Sequence, residues 1–273
     1  KLTLMKYEQE PRDRRLYEVN REMKIGFLPI TGNPLNWGQI LIAFMAINAL
    51  SLDTIIYRVQ GEIRYKDLPE SERVPVKDRH EIAQQVIERL SPLMRYTDLG
   101  SEPNNDLEGF EEMYRFLELN TGRKIQIYYL LGVENKERVL KYARQQYNLQ
   151  SQYKLDSHHR VKVGWIQRGE YGAAVTIEEL KDTYRKVKKD MGIQGEDLDL
   201  TLIKDLDIDL NVSSTYYRNS HDPAIVPSSV DKHARAHGYY GHSTIDPRTG
   251  RPYDISEEEQ FRIKLRPITE GIA

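Results

Sequence analysis

The chain has 273 residues, with 40 Lys and Arg side chains against 42 Asp and Glu side chains, and it has no cysteine. This length allows a sizeable buried core, as one large domain or two small ones. The net charge of −2 provides no basic footprint, so we expect no nucleic-acid partner. The lack of cysteine excludes disulfides, thiolate catalysis and cysteine-based zinc sites.

The apolar segments are too short for the chain to be expected in a membrane. The longest apolar run, residues 41–50, is about half of the roughly 18 residues that a spanning helix needs. Residues 1–22 are too charged for a signal peptide and are expected to form a solvated extension. We therefore expect a soluble, cytoplasmic protein with a central domain over 23–241 and a second extension over 242–273.

The first half of the central domain alternates between strand and helix patterns. Met23 opens a short apolar strand that ends in the turn TGNP, and a helical apolar stripe begins at Trp37. The β-branched segment 54–59 predicts a second strand, and the charged segment 60–78 predicts a loop. Helical spacing then extends from Ile82 to Met94, and Pro92 predicts a break or a new first turn within it.

The second half continues the alternation. Helices are predicted around 110–117, 134–146 and 177–191, and strands over 124–132, 160–169 and within 198–212. Residues 227–238 predict a final helix with a serine cap and a glycine stop. Alternating strands and helices favour an α/β fold with a doubly wound, mainly parallel sheet. In such sheets, ligands bind beyond the carboxyl ends of the strands.

The loop after the first predicted strand is a candidate anion site. Thr31 and Gly32 allow a tight turn, and Asn36 and Gln39 project from the first turn of the following helix. Free backbone N–H groups and the positive helix dipole favour an anion there. The alternative is an ordinary turn with polar capping residues.

A second candidate lies in NVSSTYYRNS, residues 211–220. Ser213, Ser214 and Thr215 offer hydroxyls at a helix start, and Arg218 falls on the same helix face as Thr215. A guanidinium beside hydroxyls suits phosphate oxygens. The alternative is an N-cap with an exposed arginine, but two such loops in one parallel sheet favour a phosphate site.

These segments resemble the nicotinamide/nicotinate mononucleotide adenylyltransferases of the HxGH nucleotidyltransferase superfamily. NVSSTYYR is similar to the SSTxxR signature of that family, and 225–241 is similar to its closing VPxxV segment. GVEN at 132–135 resembles its GxDN turn, residues 162–169 resemble its strand that ends in Arg-Gly, and GNPLNWGQ at 32–39 stands in the place of its FxPxHxGH loop. The landmarks follow the family order across about residues 23–241.

The resemblance implies a Rossmann-like fold that binds ATP, with Mg²⁺ bridging the ATP phosphates. A mononucleotide phosphate would attack the α-phosphorus, giving a dinucleotide and pyrophosphate, a reaction of NAD biosynthesis. Carried over by position, the phosphate-binding residues are Thr31, Gly32, Ser213, Ser214, Thr215 and Arg218. Gly132 and Glu134 would lie near the adenosine ribose, and Arg218 would counter the charge of the leaving pyrophosphate.

Both histidines of the family motif are replaced in this chain. Asn36 stands at the first position and Gln39 at the second, so we expect these amides to take the catalytic positions together with Arg218. Amides donate hydrogen bonds but cannot carry positive charge. The alternative function is therefore binding of ATP or a dinucleotide with little or no transfer, acting in regulation or interaction. A related cytidylyltransferase is a third interpretation, which the VPxxV segment disfavours.

Two further features concern metals and assembly. His233 and His237 are four residues apart on a predicted helix, so both could face a metal. Because the family segment accounts for His237, we assign no metal ligands at this stage. The sequence leaves the oligomeric state open, with a homo-oligomer among the alternatives.

Overall fold

A computed structural model describes residues 22–61, 68–69, 72–97, 106–120, 122–133, 136–155, 158–167, 175–204 and 212–253. Most of the extension expected over residues 1–22 and the chain beyond residue 253 therefore lie outside the described residues. Among the helices that the structure describes, none combines the length and apolarity that crossing a bilayer demands.

The described residues form a six-stranded sheet in the order β3-β2-β1-β4-β5-β6, with each neighbouring pair parallel. The strands are β1 (Met23–Ile30), β2 (Thr54–Val59), β3 (Met94–Thr97), β4 (Ile125–Gly132), β5 (His159–Gln167) and β6 (Leu200–Lys204). The chain leaves β1 on one side to β2 and returns on the other side to β4. The strand order therefore reverses between β1 and β4, where α/β sheets open a ligand crevice.

Helices cover both faces of the sheet. They are α1 (Trp37–Leu50), α2 (Val76–Leu90), α3 (Asp106–Leu119), α4 (Lys136–Gln152), α5 (Ile177–Asp190), α6 (Ser214–Ser220) and α7 (Ser228–Ala236). One apolar core packs α1, α2, α6 and α7 on the first face, and a second core packs α3, α4 and α5 on the other. This is the Rossmann-like, doubly wound parallel sheet that the sequence predicts.

Three local expectations are wrong. Met94 begins β3 rather than continuing the helical spacing. Its side chain is buried in the first core, and a buried apolar residue fits a strand as well as it fits the apolar face of a helix. The predicted loop over 60–78 is shorter, since α2 begins at Val76. Pro227, not a serine, occupies the N-cap of α7, and no side chain caps that helix.

Candidate functional site

A cavity of about 310 Å³ opens at the carboxyl edge of the sheet, beside the ends of β1 and β4. This volume is at the lower end of the usual range for ligand clefts, about 300–1,000 Å³. Its wall comes from the loop after β1, the ends of β4 and β5, and the start of α6. The lining residues include Thr31, Asn33, Asn36, Gln39, Gln60, Gly132, Arg138, Ser213, Ser214, Thr215 and Arg218.

Asn36 and Gln39 begin α1 through a reciprocal capping box. Asn36 Oδ1 accepts from the Gln39 backbone N–H at 3.0 Å, and Gln39 Oε1 accepts from the Asn36 backbone N–H at 3.3 Å. An Asn followed three residues later by Gln satisfies two helix N–H groups that would otherwise lack partners. The side-chain oxygens of Asn36 and Gln39 therefore stabilise the start of the helix.

Asn36 also links the two loops that the sequence singles out. Its Nδ2 donates to Ser214 Oγ at 2.8 Å, and Ser214 Oγ donates to the Pro34 carbonyl at 2.8 Å. Asn36 is almost fully buried. These bonds hold the loop after β1 against the start of α6, so the structure brings the two candidate segments to one crevice.

Arg218 lies at this crevice with its guanidinium engaged on three sides. Nε donates to Glu72 Oε2 at 2.7 Å, Nη1 to the Asn33 carbonyl at 2.9 Å and Nη2 to Thr215 Oγ1 at 3.3 Å. The arginine side chain is only 9% exposed, so the alternative of an exposed arginine after a helix cap does not hold. A carboxylate already neutralises the cation, and a phosphate must compete with Glu72 for it.

The other predicted residues occupy different positions around the crevice. Ser213 is the N-cap of α6, where its Oγ accepts from the Tyr216 N–H at 3.0 Å. Thr31 Oγ1 donates to Gln60 Oε1 at 3.3 Å. Gly32 has a φ of 62°, a left-handed conformation that glycine adopts without a Cβ penalty. Thr31 and Gly32 therefore shape the turn after β1, and the Ser213 hydroxyl caps the N-terminus of α6.

The two residues that the resemblance places near an adenosine ribose are only partly described. Gly132 ends β4 and lines the cavity. Glu134 lies outside the described residues.

Two features of the site escaped sequence reasoning. Arg138, in the first turn of α4, lines the cavity with its guanidinium carbon 5.5 Å from the centre of the Tyr142 ring. Tyr240 donates from its buried hydroxyl to Asn33 Oδ1 at 2.8 Å, and burial raises the pKa of this phenol, which keeps the donor protonated. Arg138 follows GVEN by three residues, in the first turn of the next helix. That position could have predicted that its guanidinium lines the cavity.

Gly38 lets α1 approach the segment before α6, so replacing it with alanine is expected to destabilise the protein. A Cβ at this position would lie 2.6 Å from the Val212 carbonyl oxygen, a backbone atom that cannot rotate away. The clash should cost about 1–3 kcal/mol, more than the gain of up to about 1 kcal/mol in helix propensity. Urea denaturation measures the change.

Asn48→Ala, on the exposed face of the same helix, is the matched control and should be neutral or slightly stabilising. If Gly38→Ala is as stable as this control, the close approach does not constrain position 38.

No family model matches the chain, and a search of curated proteins finds no relative. Among solved structures, Plasmodium falciparum nicotinic acid mononucleotide adenylyltransferase in complex with NaAD is similar, with a TM-score of 0.55 and 12% identity over 81% of this chain and 99% of that chain. The same enzyme in complex with APC gives a TM-score of 0.53 and 10% identity over the same shares. The chain therefore shares its Rossmann-like fold with this enzyme.

Proposed function

We propose that the chain binds ATP at this crevice and transfers its AMP group to a mononucleotide resembling nicotinate or nicotinamide mononucleotide. The observation that carries the proposal is the bond from Asn36 Nδ2 to Ser214 Oγ, which joins two loops 178 residues apart around one polar cavity. Such a cavity at the β1/β4 reversal is where nucleotides bind in α/β sheets. The likeness to a solved mononucleotide adenylyltransferase supports the same assignment.

The reaction requires positioning more than covalent chemistry. A phosphate oxygen of the mononucleotide attacks the α-phosphorus of ATP, the bond from this phosphorus to the bridging oxygen breaks, and pyrophosphate leaves with the electron pair. A phosphate monoester is largely dianionic at neutral pH, so the nucleophile needs no general base. The chain's task is to align the two phosphates and to offset the charge of the leaving group.

The residues for these tasks lie on the two linked loops. Arg218 can donate two N–H groups to pyrophosphate oxygens once the nucleotide displaces Glu72. Thr215 Oγ1, freed from the same guanidinium, can donate to a neighbouring oxygen. Gln39 lines the crevice beside them, and its amide nitrogen has no partner among the described residues.

Mg²⁺ would enter as the ATP complex. The described lining residues offer hydroxyl and amide oxygens, which suits an ion held mainly by the substrate phosphates and water. Mg²⁺ supplies charge neutralisation along the triphosphate when it is bound.

A second candidate function is binding of ATP or a dinucleotide without appreciable transfer, for regulation or interaction. The capping box favours it, because Asn36 and Gln39 use their side-chain oxygens to begin α1 and neither amide can carry positive charge.

One experiment separates the two functions. The purified chain is incubated with ATP, Mg²⁺ and a panel of mononucleotides while pyrophosphate release is followed, and ATP binding is measured in parallel by calorimetry. Binding together with acceptor-dependent pyrophosphate release supports the transferase. Binding without release supports the second function, and the absence of adenine-nucleotide binding contradicts both.

Restoring imidazoles should raise adenylyl transfer. In Asn36→His with Gln39→His, a protonated imidazole can stabilise charge on the transferring phosphates, and we expect the rate to rise about tenfold or more with less change in ATP affinity. The unperturbed pKa of histidine, about 6.5, predicts that this gain is lost as the pH rises through about 6–7, a fall in rate that the unmodified chain lacks. Loss of the capping box and of the buried Asn36–Ser214 bond should lower stability by about 2 kcal/mol.

Gln84→His adds an imidazole on the exposed side of α2, away from the crevice, and serves as the control. It should leave the rate unchanged. If the unmodified chain is already fast with its acceptor and the paired histidines slow it, the amides belong to a different working mechanism.

A further inference from the structure

Three metal-ligating side chains converge between α2 and α7. His233 lies in the last turn of α7, and His237 is the C-cap residue of that helix. Asp78 lies in the first turn of α2, which packs against α7. One ligand atom from each of the three side chains lies within 4.8 Å of the others. The spacing of the two histidines is visible in the sequence, but the carboxylate comes from a segment more than 150 residues away.

The histidine nitrogens are arranged as metal-binding imidazoles usually are. His237 Nδ1 lies 3.0 Å from the His233 carbonyl oxygen, and because a carbonyl can only accept, this nitrogen carries the proton. The tautomer leaves the Nε2 lone pair of His237 available, as in metal sites where the second ring nitrogen donates to a backbone oxygen. His233 Nε2 is shielded from solvent and has no hydrogen-bond partner among the described residues. A buried ring nitrogen without a partner is a group that a metal ion would satisfy.

The remaining contacts hold the three groups in place. Tyr239 donates its hydroxyl to Asp78 Oδ2, which orients the carboxylate. The Tyr239 ring also stacks on His237, with ring centres 5.3 Å apart and planes 9° apart, and the His237 ring lies 4.2 Å from that of His233. A hydrogen-bonded carboxylate and two fixed imidazoles form a preorganised set of donors.

The donor types select the metal. Two imidazole nitrogens and one carboxylate oxygen suit Zn²⁺, whereas Ca²⁺ and Mg²⁺ prefer sets made wholly of oxygen. In a tetrahedral zinc site the donor atoms are about 3.3 Å apart, so the present separation requires shifts of about 1 Å or less at each side chain. His237 is exposed, so water can complete the fourth position.

We propose that Asp78, His233 and His237 bind one zinc ion that joins α2 to α7. None of these three residues lines the described crevice, so this site is separate from the proposed nucleotide site. Two residues beside the site hold the loop after β1. Arg79, next to Asp78, donates to the Thr31 carbonyl. Tyr240 donates to the Asn33 side chain. The ion would fix α7 beside two contacts that hold the loop after β1.

Zinc titration of the chelator-treated full chain tests this proposal. We expect one Zn²⁺ per chain in calorimetry, and an increase of about 5–10 °C in thermal midpoint when free Zn²⁺ is 100 times the dissociation constant. Co²⁺ should give the visible absorption of a tetrahedral or five-coordinate nitrogen–oxygen site. These readouts are independent of nucleotide binding and of transfer, so failure here is distinguishable from failure of the proposed function.

Two ligand variants and one control complete the design. His237→Ala removes an exposed ligand together with its ring stacking, and Asp78→Asn keeps the shape of the third ligand, so one variant remains informative if the other fails to fold. Each should bind Zn²⁺ at least tenfold more weakly, so that at the same free Zn²⁺ the thermal shift falls to about half or less. His158→Ala removes an exposed imidazole before β5 and should bind as the unmodified chain does. The proposal is wrong if the unmodified chain binds no stoichiometric Zn²⁺, or binds it no more tightly than the ligand variants.

Discussion

Arg79→Met is expected to lower the free energy of unfolding by about 3–5 kcal/mol, the range typical of breaking a buried charged network. The guanidinium lies on the buried face of α2 and is 1% exposed. Its Nη1 donates to the carbonyls of Thr31 at 2.7 Å and Gln60 at 2.8 Å, and its Nη2 donates to the Gly61 carbonyl. Methionine fills a similar volume but leaves these carbonyls without their donor, and each buried unsatisfied group costs about 1–3 kcal/mol.

Removal of the guanidinium should also disturb the crevice, because Arg79 holds the backbone of Thr31 and the chain just after β2 in place. Urea denaturation followed by circular dichroism measures the stability, and ATP affinity should fall in the same variant. Lys77→Met, on the exposed side of the same helix, is the control and should change stability by less than about 0.5 kcal/mol. If both variants unfold at the same urea concentration, water replaces the guanidinium and the network does not stabilise the loop.

Substitutions at the two ends of the Arg218–Glu72 pair are expected to change nucleotide affinity in opposite directions. Arg218→Ala removes charge-assisted donors and should weaken ATP binding about ten- to hundredfold, or roughly 1.5–3 kcal/mol. Glu72→Gln removes the competing carboxylate and should strengthen binding by up to about tenfold. The glutamine variant should also be less stable, because the arginine, only 9% exposed, loses its counter-charge.

Calorimetry with ATP at two salt concentrations measures both effects. Arg185→Ala removes an exposed arginine from α5 and controls for the change in net charge. Identical ATP affinity in the unmodified chain and in Arg218→Ala would show that the guanidinium does not contact the nucleotide. If Glu72→Gln weakens binding as much as Arg218→Ala does, Glu72 positions the arginine rather than competing for it.

The fold could be predicted because its signals are local. The strand Met23–Ile30 and the start of α1 at Trp37 each show in a short apolar pattern beside a turn. β3 could not be predicted in the same way, since it has four residues and Met94 continues the spacing of the helix before it. A strand this short takes its conformation from pairing with β2, which is a tertiary effect.

In the candidate site, the positions of the loops could be predicted, but their long-range partners could not. Thr31 and Asn36 follow one strand and Ser213 to Arg218 follow another, so the rule for parallel sheets places them at one edge. Glu72 could not be found, because it meets Arg218 across 146 residues and no spacing marks the pair. The capping role of Asn36 and Gln39 was visible in their three-residue separation, but the bond of Asn36 to Ser214 was not.

The contacts around the first loop also set an order of assembly during synthesis. Asn36 bonds to Ser214 across 178 residues, Arg218 bonds to the Asn33 carbonyl across 185, and Tyr240 bonds to the Asn33 side chain across 207. Closing such long loops costs entropy that only the finished contacts recover, so these bonds form late. On the ribosome, β1, α1 and β2 therefore emerge well before the segments that complete the crevice. An incomplete chain that stops before residue 213 lacks the residues from Ser213 to Arg218, and with them one wall of the crevice.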